Sequence, residues 1–167
     1  VQVMAESIYF QCRKAAAEHN EKLKSRPGAA ELLGVSESSL AHYELGVTKT
    51  VPVDVVVMMA ELYGAPELKN LYCKNECPIG RDCPVATREV SIEEATVHLL
   101  GGMQHEAMQD AAKTLLRIAA DGVLTPEEAA ELEPMQAALD IVCKAVSELK
   151  ILVEKTRKRK GERHGAD

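Results

Sequence analysis

From Leu132 to Val153, apolar residues recur at alternating spacings of three and four: Leu132, Met135, Leu139, Val142, Val146, Leu149 and Val153. That is the a/d repeat of a helix whose seam faces another helix, held over three heptads. One helix cannot bury such a seam alone, so this half of the chain needs a helical partner. The composition points the same way. Aromatic residues are 3% of the chain, with one Phe and no Trp. The core must then come from Ala, Leu, Val, Ile and Met, which suits packed helices. One partner is the preceding helix. It opens at Ser91-Ile92-Glu93-Glu94, with Ser at the N-cap and Glu at N3, and runs to Ala120 across Gly101-Gly102. Its facing side carries Leu99, Met103, Ala107, Ala111, Leu115 and Ile118. Asp121-Gly122 ends it, and Thr125-Pro126-Glu127-Glu128 opens the next helix as a second capping box with Pro at N1. Pro134 either kinks that helix or marks a fresh start. The seam is satisfied by an antiparallel hairpin within the chain or by a second protomer in a homodimer, and the sequence leaves both open.

The first half of the 167-residue chain is different. Short segments are punctuated by Gly and Pro, and they read as about five helices. The first spans Ile8 to Lys24. A second runs from Pro27 to Leu33 after a possible Ser25 cap. A third follows Ser36 as N-cap and runs to Leu45, with Gly46 as its stop. Pro52 opens a fourth, closed at Tyr63 by Gly64. Pro66 to Tyr72 is the fifth. The run Val53 to Met59 is β-branched enough to suit a strand, but its Pro start and Gly end favour a helix. The expected organisation is residues 1–72 as one domain, 73–90 as a Cys/Pro-rich linker, 91–156 as a helical hairpin or dimerisation region, and 157–167 as a basic flexible tail. No run of about 18 apolar residues exists, so no membrane span is expected. No secretory leader is read either, and a chain beginning at Val1 reads as a fragment or processed product.

Residues 26–45 carry the most information. Two helices crossing closely at a tight turn need a small residue in the first, Gly at the turn and an apolar residue inside the second. Ala30, Gly34 and Leu40 supply these at spacings of four and six. The run Ala30-Glu31-Leu32-Leu33-Gly34-Val35-Ser36, followed by Ser39-Leu40-Ala41-His42-Tyr43-Glu44-Leu45-Gly46, resembles the Xre/Cro-type, lambda-repressor-like helix-turn-helix of phage and bacterial regulators. Pro52, Leu62-Tyr63-Gly64 and Leu68 match that family's fourth and fifth helices. The resemblance covers about residues 6–72, and Leu71 through Gly80 resembles an extension found in bacterial Xre-like proteins. It implies an all-α protein: a five-helix helix-turn-helix domain followed by the helical hairpin or coiled coil. It also implies sequence-specific binding of double-stranded DNA by a dimeric transcription regulator. The base-reading positions implied by the family are Ser36, Glu37, Ser38, Ala41 and His42. This face has no Arg, Asn or Gln, the side chains that make bidentate base contacts. Glu37 would accept from cytosine N4, and His42 would donate or accept. Where the family often places a phosphate-touching Gln, this chain has Pro27. Arg26 and Lys49, with Lys22 and Lys24, are the candidate phosphate contacts.

Charge and cysteines set further bounds. The net charge is −6 and the pI about 5.5, which argues against a general polyanion binder. Residues 1–72 hold seven Lys and Arg against nine acids. A helix-turn-helix used for protein contacts, an adaptor without DNA binding, is therefore the alternative. Five cysteines without secretory context read as cytoplasmic. Cys73, Cys77 and Cys83 lie within eleven residues. They are a candidate metal site for zinc or an iron–sulfur cluster, a redox-responsive switch, or an incidental cluster. Zinc would need a fourth ligand. Cys12 and Cys143 read as small buried apolar residues. His98 and His105, seven apart, read as a polar helix face more readily than as metal ligands. No cofactor is expected, and no catalytic framework is present, so no enzyme is expected.

Overall fold

The computed structural model describes residues 7–103 and 106–164, and among these the protein is all-helical. Eight α-helices follow one another: α1 Ile8–Ala16, α2 Arg26–Leu33, α3 Glu37–Glu44, α4 Val53–Leu62, α5 Glu67–Asn75, α6 Ile92–Met103, α7 Glu106–Asp121 and α8 Pro126–His164, with a 3-10 turn at Glu21–Lys24. The chain forms two compact units, Val1–Cys83 with Glu154–Asp167, and Pro84–Val153.

In the first unit the expected helix over Ile8 to Lys24 is two pieces. Ala17 closes α1, and the extended Asn20 accepts the Lys22 N–H (3.1 Å) to start the 3-10 turn. An Asn side chain that bonds nearby backbone competes with a continuing helix, and here it wins. The β-branched run is helical, as its Pro and Gly ends required. Val55, Val56, Met59 and Ala60 are buried while Val53, Val57 and Met58 face out, the period of a helix and not of a strand. These residues join Leu23, Leu33, Leu40 and Leu68 in one core.

Four contacts in this unit were not readable from spacing. Glu76, just after α5, accepts the Tyr9 hydroxyl and the Val51 N–H (2.7 Å), tying α1 and the entry to α4 to one carboxylate. The chain from 157 to 164, expected as a flexible tail, continues α8. Just before it Lys155 pairs with Glu67 (2.8 Å), and within it the Lys158 ammonium donates to the Glu61 carbonyl (3.1 Å) at the end of α4. A cation at a helix C-terminus meets the negative end of its dipole. Residues 165–167 lie outside the described residues.

In the second unit both capping boxes form at the expected places, one fully. The Thr125 N–H donates to Glu128 Oε2 (3.1 Å) and the Glu128 N–H returns to Thr125 Oγ1 (3.3 Å). Ser91 accepts the Glu94 N–H (3.1 Å), but the Glu94 carboxylate turns to Arg88. Gly102 is a close-packing position: a Cβ there would lie 2.9 Å from Val142 Cγ2. Residues 104–105, and with them His105, lie outside the described residues. α8 runs through Pro134 without a new start; Pro134 is exposed. Ala138, Ala145, Glu148 and Ile151 are its most buried residues, whereas Leu139, Val146 and Val153 are 38%, 38% and 49% exposed. Met103 and Leu115, read as the facing side of the seam, are also exposed, and Ile118 is buried; the side chains of Ala107 and Ala111, read with them, lie outside those described. Among the described residues no helix is long and apolar enough to cross a membrane.

Candidate nucleic-acid interface

α2 and α3 are built by local sequence. Ser25 caps α2 by accepting the Gly28 N–H (3.2 Å), and Pro27 occupies its first turn, where a missing N–H costs nothing. Gly34 takes φ 64°, a conformation that penalises a Cβ. The Val35 N–H then reaches back to the Ala30 carbonyl (3.1 Å) and the Gly34 N–H to that of Glu31 (3.3 Å). This is a Schellman closure, which satisfies the last carbonyls of α2 and aims the chain into α3. Ser36 caps α3 through its Oγ, which accepts the Ser39 N–H (3.0 Å). Ala30 and Leu40, the two framework residues, are buried.

A charged network locks the two helices to α1. Glu44, with a fully buried side chain, accepts from Arg13 through both oxygens, the Nη2 contact at 2.9 Å. Arg13 is 3% exposed and also donates to the Leu23 carbonyl (2.8 Å). Its hydrogen bond to Glu44 holds the guanidinium pKa above its ordinary value against the opposing cost of burial. Arg26 joins from α2, with Nε 2.7 Å from Glu44 Oε2. Glu44 is thus a structural carboxylate. Arg26, a candidate phosphate contact, spends at least one of its donors inside the domain.

The remaining candidate residues are placed by helical period. Leu40 and Glu44 point inward at i and i+4, so Ser38 and His42 fall on the opposite side and Ala41 on its flank, while Glu37 sits one turn before Leu40 on the same face, at the open first turn of α3. Glu37, Ser38 and His42 are exposed and Ala41 half-buried. Ser36 is exposed, but its hydroxyl is engaged by the cap and by the Ser39 hydroxyl (2.8 Å). Lys49 is exposed in the segment between α3 and α4. The nearby lysines have acidic partners: Lys22 lies 3.3 Å from Glu31, and Lys24 pairs with Glu21.

A family model described as a helix-turn-helix domain matches residues 12–69. Residues 12–69 are a helix-turn-helix domain. The match agrees with the Xre-type resemblance over almost the same span and covers about a third of the chain. No curated protein and no solved structure matches the chain.

The cysteines lie outside α3 and its turn. Among the described residues no three His, Cys, Asp or Glu side chains converge as a metal ligand set, so Cys73, Cys77 and Cys83 are not gathered as ligands. All five thiols are free. Cys12 is half-buried, and its thiol is pushed up to about 11 by burial, then by the Glu67 carboxylate. Cys143, expected to be buried, is exposed. It lies four residues after Leu139 and three before Val146, so it shares their outward face and not the packed one. His98 Nδ1 sits 2.8 Å from Glu148, giving that buried carboxylate a polar partner.

The sequence marks the framework residues and Glu44 as a structural carboxylate, but not the distant partners that steady them. Nothing in the spacing of Arg13 or Glu76 marks either as a long-range tether. Gly28 also escaped notice: a Cβ there would lie 2.3 Å from the Lys22 carbonyl oxygen, so α2 can approach the 3-10 turn only with Gly.

Proposed function

We propose that this protein is a non-enzymatic, sequence-specific DNA-binding transcription regulator of the cytoplasm that acts as a dimer. The observation that carries the reading is the division of α3. Leu40 and Glu44 fix one side to the domain, Ser38 and His42 are left on the other with Ala41 on its flank, and Glu37 is exposed at the first turn of the helix. Those side chains suit the major groove: a carboxylate for cytosine N4, hydroxyl and imidazole groups for several edges, and a methyl for thymine. Lys49, with what remains of Arg26, would contact phosphate and position the helix.

The dimer rests on the second unit. Leu139, Val146 and Val153 are partly exposed at strict seven-residue spacing, a stripe that a second copy of α8 can cover. Leu132, Met135, Val142 and Leu149 flank it along the same seam. Val97 and Leu100 on α6 are exposed as well. A two-fold dimer would read two half-sites about one DNA turn apart, near ~34 Å.

Selection from a pool of genomic fragments tests the DNA reading. Recovered fragments should share a motif with two related half-sites, and Glu37→Ala or His42→Ala should relax the motif at particular positions more than it weakens binding overall. Recovery of fragments with no shared motif would remove sequence specificity. The adaptor reading is favoured by one observation: Lys22, Lys24 and Arg26 each have an acidic partner, which lowers the charge offered to phosphate.

A further inference from the structure

We propose that Cys73 and Cys83 are a peroxide-oxidisable dithiol, joined by an intramolecular disulfide in the oxidised protein. The chain after α5 folds back over that helix. Gly80 is buried against Cys73, so closely that an added Cβ would lie 2.7 Å from the Cys73 Cβ and 2.9 Å from its carbonyl oxygen. The Cys83 N–H donates to the Gly80 carbonyl (3.1 Å). Gly80 therefore touches Cys73 directly and holds the Cys83 backbone through its carbonyl, which draws Cys83 back toward the end of α5. The Lys74 ammonium donates to the Arg81 carbonyl (2.7 Å) and holds the same loop onto the end of α5.

The exposures divide the roles. Cys83 is exposed and meets a small oxidant first; Cys73 is half-buried and resolves. Burial, followed by the neighbouring thiols Cys77 and Cys83, raises the Cys73 pKa, which suits a resolving thiol more than an attacking one. A disulfide needs two sulfurs where a metal needs three or more ligands, and no such ligand set converges among the described residues.

The chemistry balances with one hydrogen peroxide. The Cys83 thiolate attacks a peroxide oxygen, the O–O bond breaks, and the leaving hydroxide takes a proton to become water, leaving a sulfenic acid. The Cys73 sulfur gives up its proton and attacks the Cys83 sulfur. The S–S bond forms, the S–O bond breaks, and the hydroxide departs as a second water. The peroxide gains two electrons and each sulfur gives one. The ring so closed encloses Glu76, the carboxylate that holds Tyr9 and Val51.

The test is peptide mapping of the full chain after hydrogen peroxide treatment and alkylation, without reduction. The expected product is a Cys73–Cys83 linked peptide, lighter by two hydrogens than the separate thiols and released by dithiothreitol. Cys77→Ser should keep the link. Cys73→Ser should abolish it and send Cys83 on to sulfinic acid. Full alkylation of Cys73 in treated wild-type protein would overturn the proposal, as would a link through Cys77 or between two chains through Cys143.

Discussion

Replacing Glu44 by Gln should cost this domain much of its stability, because among the described residues the carboxylate is the one negative charge paired with the buried Arg13 guanidinium. Arg13 is 3% exposed and the Glu44 side chain is fully buried, so the charge left behind cannot recover its water. Removing one partner of a buried pair typically costs about 3–5 kcal/mol. Arg26 adds little to that cost, since its side chain is 35% exposed and can be solvated. A domain of this kind has about 5–15 kcal/mol in total, so most of the margin is at stake. The assay is urea unfolding followed by tyrosine fluorescence. All four tyrosines, Tyr9, Tyr43, Tyr63 and Tyr72, lie in the first unit and the chain has no Trp, so the signal reports that unit alone. With a slope near ~1–1.5 kcal/mol per M, the midpoint should fall by about 2–5 M. The paired change Arg13→Met with Glu44→Leu removes both charges, and should come back to within about 1 kcal/mol of wild type or exceed it. A midpoint shift below about 0.5 M for Glu44→Gln would refute the reasoning. It would mean that Arg13 finds water or another acceptor when its partner is neutral.

Three further outcomes are expected. Gly34→Ala meets open space but a left-handed backbone, so it should cost about 1–2 kcal/mol; Gly28→Ala meets a backbone oxygen and should cost about 1–3 kcal/mol or more by the same urea assay. Leu139→Lys with Val146→Lys should convert a dimer to a monomer in sedimentation without changing helix content, and an unchanged mass would remove this stripe from the interface. The third concerns the start of α8, where the Glu128 carboxylate is held below its ordinary value of 4.5, first by the Thr125 N–H and then by the Thr125 hydroxyl and Arg117. Its folded value is lowered, so its contribution is present above 4.5 and is lost as pH falls through the depressed value. Helical circular dichroism of the wild type should therefore fall further than that of Thr125→Val over that acid range.

The fold was legible wherever one residue type forces one conformation. Gly34, Ser36, Ser91 and the Thr125–Glu128 pair act on their own backbone, so their spacing alone located four helix ends. The inward side of α3 was legible for the same reason, since period fixes which residues oppose Leu40. Contacts between residues distant in sequence were not legible. Arg13 to Glu44, Tyr9 to Glu76 and Lys155 to Glu67 depend on how helices cross, and many surface charges share the same local pattern. The seam of α8 shows the limit in between. Its period was readable, but which of its two flanks packs within the unit depends on small residues such as Ala138 and Ala145 outside the a/d register. The exposure of Cys143 follows from the same division and could not be read from heptad spacing.

The most direct test of the DNA-binding reading is fluorescence anisotropy of the full chain on a selected duplex, titrated across salt, with wild type beside Lys49→Ala and His42→Ala. The expected result is an affinity whose logarithm falls linearly with the logarithm of salt concentration. Lys49→Ala should lower that slope by about one phosphate contact, and His42→Ala should leave the slope intact while erasing preference at one base pair. No binding at low salt, where even non-specific contacts should appear, would contradict it and leave the helix-turn-helix as a protein-binding module.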